Sequence, residues 1–239
     1  MTNKIKKLML NWEEYLIREY QWWWQPGANT VWYRPLEEDL NDYSWNNNDF
    51  TLKTWSVTYW TTSWGWKYTY FDTNTWTNFL TFSMDFTKPF TFSFFLNPRQ
   101  NFTSWNHVVI DVWGQSGLDL SMRTSIEDDN FMIYERIIRN DNILYPVTIE
   151  NWYYMTIVSD ATYVSLYVNW VLYHSSAIHT DSKISWTAKF SIAQVWDTNS
   201  TNFSNDMYIA RLIYEKEKWW TQQEISDYFN QTKSLYGIS

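Results

Sequence analysis

Apolar and polar residues alternate with a period of two over three successive stretches in the middle of the chain. In residues 107–113, Val108, Ile110 and Val112 fall on one side, and His107, Val109, Asp111 and Trp113 on the other. In residues 118–125, Leu118, Leu120 and Met122 are opposed by Asp119, Ser121 and Arg123. In residues 131–139, Phe131, Ile133 and Ile137 oppose Met132, Tyr134 and Arg136. Successive side chains of a strand point to opposite faces, so this pattern predicts an antiparallel sheet with one face on a core. The other face would carry Asp111, Trp113, Arg123, Tyr134 and Arg136. Residues 153–158, 163–168, 189–195 and 207–214 are more continuously apolar and fit the interior of a sandwich.

The two ends read differently. Leu8, Leu10, Leu16 and Ile17 predict a small hairpin turning at Asn11-Trp12, and residues 21–29, around Gln25-Pro26-Gly27, read as a linker. Near the other end, Thr221-Gln222-Gln223-Glu224 has the form of a capping box, in which Thr and Glu satisfy free N–H groups of a first helical turn. Ile225, Tyr228, Phe229, Leu235 and Tyr236 follow at helical spacing, and Gly237 ends the pattern. The expected organisation is a lead and linker over residues 1–29, then one all-β, antiparallel two-sheet jelly-roll sandwich over residues 30–239. A single short C-terminal helix docks on it.

Composition changes this picture at one point. The chain of 239 residues has 5 Gly and 19 Trp, whereas average usage would give roughly 7% Gly. Tight reversals in β folds need positive φ, which glycine adopts freely and bulky residues avoid. Several tryptophans stand where such reversals are expected: Trp45 in Ser44-Trp45-Asn46, Trp170 in Asn169-Trp170 between two apolar runs, and Trp60, Trp64 and Trp66 beside Gly65. The pattern predicts that some are glycines in the native protein, encoded by UGA and read as glycine, as some bacterial lineages and their phages do. The competing expectation is a binding protein rich in genuine tryptophan.

Four segments, in order, carry a resemblance to a known family over roughly residues 31–236. The run 36–46, with Asp42-Tyr43-Ser44-Trp45-Asn46, resembles an opening turn written D-x-S-G-N. Lys88-Pro89-Phe90-Thr91-Phe92-Ser93 is similar to a P-F-T-I-S-x-W strand. Asn151-Trp152-Tyr153-Tyr154, with Leu166-Tyr167-Val168-Asn169 after it, resembles W-Y-H-V leading to L-Y-V-N-G. Ile213-Tyr214 with Thr221-Gln222-Gln223-Glu224-Ile225 is similar to a closing I-Y-N-R-x-L-S-x-x-E-I. Together they resemble laminin-G-like, concanavalin-type domains, and the departures are Trp at glycine positions, most visibly Trp45 and Trp170. The resemblance implies a carbohydrate- or surface-binding module. The lysine-bearing start, Lys4-Ile5-Lys6-Lys7-Leu8-Met9-Leu10, resembles the start of some phage structural proteins.

The chemistry sought is mostly absent. Glucanases on this fold present carboxylates as E-x-D-x-x-E along one strand; here Asp111 stands alone, and Glu127-Asp128-Asp129 lacks the spacing. No catalytic residue is therefore assigned, and no enzyme activity is expected. His107, His174 and His179 are scattered, and there are no cysteines for thiolate sites, nucleophiles or disulfides. Calcium takes oxygen ligands from loops, for which Asp111, Asp119, Asp128, Asp129, Asp160 and Asp197 are available, but no motif fixes a set, and ordinary solvated loop carboxylates explain them better. Glycan binding needs an exposed aromatic and nearby polar groups, which Asp111, Trp113, Arg123, Tyr134 and Arg136 supply.

The net charge of −8 argues against duplex nucleic acid as a partner. No run of 18 apolar residues predicts a membrane span, and the first ten residues lack the apolar core of a secretory signal. The expected partners are a glycan or a surface protein, with self-assembly through the N-terminal lead. The expected location is extracellular or on a virion surface, reached without a signal peptide of the usual kind. The alternatives are a structural subunit of a virion or appendage, and a glycoside hydrolase with only its fold in its favour.

Overall fold

The computed structural model describes residues 5–10, 13–18, 28–34, 52–54, 58–61, 67–71, 76–77, 80–85, 87–99, 107–114, 121–127, 130–134, 143–178, 185–192 and 206–239. In chain order the strands begin with β1 (Ile5–Leu10), β2 (Glu13–Arg18), β3 (Thr30–Arg34), β4 (Leu52–Thr54), β5 (Thr58–Thr61), β6 (Lys67–Phe71), β7 (Trp76–Thr77) and β8 (Leu80–Asp85). They continue with β9 (Phe90–Pro98), β10 (His107–Gly114), β11 (Ser121–Glu127), β12 (Asn130–Tyr134) and β13 (Ile143–Pro146). The last are β14 (Tyr153–Ser159), β15 (Tyr163–Val168), β16 (Val171–Ala177), β17 (Ser185–Ile192) and β18 (Met207–Lys216), before helix α1 (Gln222–Thr232) and a 3-10 turn at Lys233–Tyr236.

The strands form two principal antiparallel sheets. One has six strands in the order β13-β12-β11-β10-β17-β8; the other has eight, β16-β15-β14-β9-β18-β6-β5 with β3 also paired to β18. The chain is thus an all-β, two-sheet antiparallel sandwich with one short C-terminal helix. The predicted N-terminal hairpin is present: β1 and β2 pair from Ile5↔Arg18 to Leu10↔Glu13 and form a sheet of their own.

Strand β9 shows why the core forms where it does. Its sequence, Phe-Thr-Phe-Ser-Phe-Phe-Leu-Asn-Pro, is buried at every residue. Phe94 reaches across to Phe131 of the six-stranded sheet, ring centroids 6.1 Å apart. Phe92 stacks on Tyr214 at 4.3 Å. On the opposite face, Phe95 packs with Tyr154, Val158, Ala210 and Ile213 against Trp220, Ile225, Tyr228, Phe229 and Tyr236 of the C-terminal segment. A strand covered on both faces has no solvent side for polar residues, so its sequence loses the alternation of a half-buried strand. Each large apolar side chain buried on α1 contributes about 1.5–3 kcal/mol relative to exposure.

The helix begins as the sequence predicts. Thr221 Oγ1 accepts from the Glu224 N–H at 3.3 Å, and the Thr221 N–H donates to Glu224 Oε2 at 2.8 Å. Burial pushes the Glu224 carboxyl up, but the Thr221 hydrogen bonds and the nearby Lys218 outweigh it and hold it below its ordinary value. The carboxylate therefore favours the helix above the usual glutamate range, and that help disappears as pH falls through the lowered value. Thr221→Ala is expected to cost about 1 kcal/mol of stability in urea titration. The helix is shorter than its apolar spacing implies: α1 stops at Thr232 and the 3-10 turn follows, closed by Gly237 at φ 71°.

A second buried cluster ties the last strand to the helix start. Glu215 of β18 accepts from the Thr30 hydroxyl at 3.1 Å and from the Trp220 indole N–H, and pairs with Lys218 Nζ at 3.2 Å. Thr91 adds a clamp: its hydroxyl donates to the Lys218 carbonyl at 3.1 Å and accepts from the Trp220 N–H at 2.9 Å.

One expectation needs correction. Val109, expected opposite the core face, is fully buried, like Ile110. The β10–β11 register slips between Val108 and Ile110, and such an extra residue breaks strict alternation. Of the second alternating segment, residues 118–120 lie outside the described residues, and β11 covers the rest, running from Ser121 to Glu127.

Candidate binding site

Four of the five residues singled out in the sequence for binding, Asp111, Trp113, Arg123 and Tyr134, lie on strands of the six-stranded sheet. The register pairs Asp111 of β10 with Arg123 of β11, and Arg123 with Tyr134 of β12. Three of the five positions thus form one row across adjacent strands, with Trp113 two residues along β10, opposite Ser121 and Lys189. Arg136 lies outside the described residues. Of the aspartates available for calcium, Asp160 is engaged in a turn. Its Oδ1 accepts from the Thr162 and Tyr163 N–H groups, both at 2.7 Å, and so closes the β14–β15 connection. Asp119, Asp128, Asp129 and Asp197 lie outside the described residues. Among the described residues, no three His, Cys, Asp or Glu side chains come together as a metal site.

The eight-stranded sheet carries a second constellation that the sequence pattern did not suggest. Four separate pieces of chain meet there. Tyr68 and Tyr70 come from β6, Arg99 follows β9, Glu150 and Trp152 precede β14, and Asp206 and Tyr208 open β18. Backbone pairing sets their places: Tyr208 is in register with Tyr70 on one side and Asn97 on the other. The Arg99 N–H donates to the Asp206 carbonyl at 3.0 Å, and the Glu150 N–H to the Pro98 carbonyl at 2.7 Å.

The rings form a continuous aromatic surface. Tyr68 meets Trp152 edge-on at 5.2 Å and Tyr208 at 4.6 Å. Tyr70 meets Tyr208 at 5.3 Å, and Trp152 packs on Tyr236 of the 3-10 turn at 4.8 Å. Polar groups edge it. The Arg99 guanidinium lies 4.9 Å from the Tyr208 ring centroid and pairs with Glu150 at 3.2 Å, and the Tyr70 hydroxyl donates to Asp206 Oδ1 at 2.7 Å. Tyr68, Tyr70 and Trp152 are half-buried and Tyr208 is nearly covered, so the surface is preformed rather than assembled from mobile side chains.

Burial favours the protonated phenols of Tyr68 and Tyr208. Burial raises the Tyr68 hydroxyl, the neighbouring Tyr208 adds to this, and Arg99 opposes it. Burial likewise raises Tyr208; Arg99 opposes, while Asp206 and Glu150 reinforce the shift. At neutral pH these groups can donate hydrogen bonds. Two carboxylates face one guanidinium, so the site carries no excess positive charge to attract an anion. Aromatic faces suit the C–H surfaces of a sugar, and the hydroxyls, guanidinium and carboxylates suit its hydroxyl groups.

Sequence reasoning missed this site because its members are scattered along the chain. The available signals were the alternating Tyr68-Thr69-Tyr70 and Trp152, which the family resemblance had marked only as a fold feature.

The fold places the chain among antiparallel β-sandwiches. It is similar to domain 4 of an extracellular GH43 arabinanase from Geobacillus stearothermophilus, solved with arabinotriose, at 17% identity and a TM-score of 0.62, covering 83% of this chain and 97% of that one. It is also similar to the binding domain of Paraclostridial Mosquitocidal Protein 1, at 16% identity and a TM-score of 0.66, covering 88% of this chain and 55% of that one. A third is the binding domain of botulinum neurotoxin DC, solved with rat synaptotagmin II, at 15% identity and a TM-score of 0.59, covering 87% of this chain and 52% of that one. The chain thus spans nearly all of the arabinanase domain and about half of each toxin binding domain. At these identities the likeness establishes the fold. No family model matches the chain, and no curated protein matches it in sequence. Among the described residues, no helix is long and apolar enough to cross a membrane.

Proposed function

We propose that the protein is a non-catalytic binding module of the laminin-G-like, concanavalin-type kind, which holds a neutral glycan and is displayed outside a cell or on a virion. The observation that carries this reading is the convergence of Tyr68, Tyr70, Trp152 and Tyr208 with Arg99, Glu150 and Asp206 on one preformed surface. Two of the similar domains were solved with arabinotriose or with rat synaptotagmin II, which supports a binding role for a sandwich of this shape. Neutral sugars fit better than acidic ones, because the carboxylates outnumber the guanidinium and the whole chain carries −8.

A glycan array with paired neutral and acidic ligands tests this. The folded protein is expected to retain neutral oligosaccharides, and Tyr68→Ala or Trp152→Ala should weaken retention about tenfold, which is roughly 1.4 kcal/mol. Retention of nothing by the folded protein, or equal retention by both variants, ends the proposal. The row Asp111–Arg123–Tyr134, with Trp113 beside it, is a second candidate surface, favoured by its register across three strands. If it holds the ligand, Tyr134→Ala weakens retention and Trp152→Ala does not.

A structural role is the other reading. It is favoured by the β1–β2 hairpin, whose strands pair only with each other among the described strands. Such a hairpin could anchor the sandwich to copies of itself or to a partner protein. Removing residues 1–27 should then abolish assembly and leave the sandwich folded.

A further inference from the structure

The tryptophans of this chain divide into two kinds. Trp220 is fully buried, and its indole N–H donates to Glu215. Trp152 packs against Tyr68 and Tyr236. Both use an indole. Trp170 does the reverse. Strands β15 and β16 close on the pair Val168↔Val171, which leaves Asn169 and Trp170 as a two-residue hairpin loop. Their φ values are 48° and 70°. Positive φ at both central residues is the signature of a type I′ turn, and Asn followed by Gly is its preferred sequence. Asn169 suits its place: its side chain accepts from the Tyr154 N–H at 2.9 Å, and its own N–H donates to the Tyr154 carbonyl at 2.9 Å. Trp170 does not. It is 39% exposed, and its indole has no hydrogen-bond partner among the described residues.

Four other non-glycine residues among those described have positive φ, Glu150, Ala161, Arg211 and Glu217, and two of them have evident compensations. Glu150 donates its N–H to Pro98, and Arg211, at the slip in the β18–β9 register, donates from Nε to the Tyr236 hydroxyl at 3.2 Å. At Trp170 a large aromatic residue occupies a left-handed position and gains nothing described in return. The second observation is independent of the first. The N-terminal hairpin closes on Leu10↔Glu13, so its two connecting residues are Asn11 and Trp12. The same dipeptide, Asn-Trp, links both hairpins.

We propose that the native chain carries glycine at positions 170 and 12, from UGA codons that its own translation apparatus reads as glycine, and genuine tryptophan at 152 and 220. The proposal concerns the identity of the side chains and does not depend on the glycan reading. It removes a bulky group from the β15–β16 hairpin tip and leaves the aromatic binding surface intact.

Two measurements test it. The first is the coding sequence, with peptide mass spectra of protein isolated from its natural source. UGA is expected at codons 12 and 170 with glycine in the corresponding peptides, and UGG at codons 152 and 220. UGG at codon 170, or tryptophan in the native peptide, overturns the proposal. The second uses recombinant protein of the sequence given. Trp170→Gly is expected to raise the folding equilibrium constant roughly fivefold by relieving the left-handed conformation, and Trp220→Gly to lower it roughly a hundredfold or more. Destabilisation by Trp170→Gly would show that the tryptophan belongs there.

Discussion

Phe95→Ala is expected to lower the stability of the protein by about 3–5 kcal/mol, the cost of truncating a buried aromatic side chain to alanine. Phe95 is the β9 residue on which the helix layer rests. Its ring lies 4.8 Å from that of Tyr154 and 4.2 Å from that of Tyr236, and it is fully buried. Neither neighbour is free to fill the space. Tyr154 is held by the Ser93 hydroxyl, which donates to its phenolic oxygen at 2.5 Å, and Tyr236 lies under Trp152. The cavity should therefore persist, and the C-terminal helix should loosen before the sheets do. Urea titration followed by far-UV and near-UV circular dichroism would show a lower midpoint, with part of the near-UV signal lost early. A loss below about 1 kcal/mol, in the range of a tolerated core change, would mean that α1 does not rest on this face.

Glu215→Ala is expected to cost about 2–4 kcal/mol, from the loss of the buried hydrogen bonds that its carboxylate accepts. Its carboxylate serves the Thr30 hydroxyl, the Trp220 indole and Lys218 together. Lys218 is partly exposed and can turn to water, so most of the cost comes from the covered Thr30 and Trp220 groups. Lys218→Ala, which removes only the exposed partner, should cost less than about 1 kcal/mol. Comparable losses for the two variants would show that the ion pair, and not the buried hydrogen bonds, holds this corner. Glu215→Gln keeps an acceptor oxygen for the indole and should fall between them.

Local rules acting over a few residues made much of the fold legible in the sequence. The Thr221–Glu224 box is read from four consecutive residues, and the helix starts there. The Asn169-Trp170 reversal is read from two apolar runs, and β15 and β16 pair across it. The alternation of β10 located its strand, but a one-residue slip at Val109 inverted the expected side of that residue. Such slips are set by tertiary pairing and leave no period in the chain. Burial on both faces could be suspected in β9 from its run of phenylalanines, but its two coverings, Phe131 on one side and Phe229 with Tyr236 on the other, come from distant parts of the chain.

The aromatic site was illegible for the same reason. Tyr68, Arg99, Trp152 and Tyr208 are brought together by the order of strands in the eight-stranded sheet, not by any spacing. The row Asp111–Arg123–Tyr134 was legible because each member lies in an alternating strand and the strands follow one another in sequence.

The most direct test is a backbone-amide NMR titration of the full chain with a neutral oligosaccharide. The account predicts saturable shifts centred on Tyr68, Tyr70, Arg99, Trp152 and Tyr208, abolished in Trp152→Ala. Shifts centred on Asp111, Arg123 and Tyr134 instead, or no shift with any neutral sugar that a folded protein is offered, would contradict it.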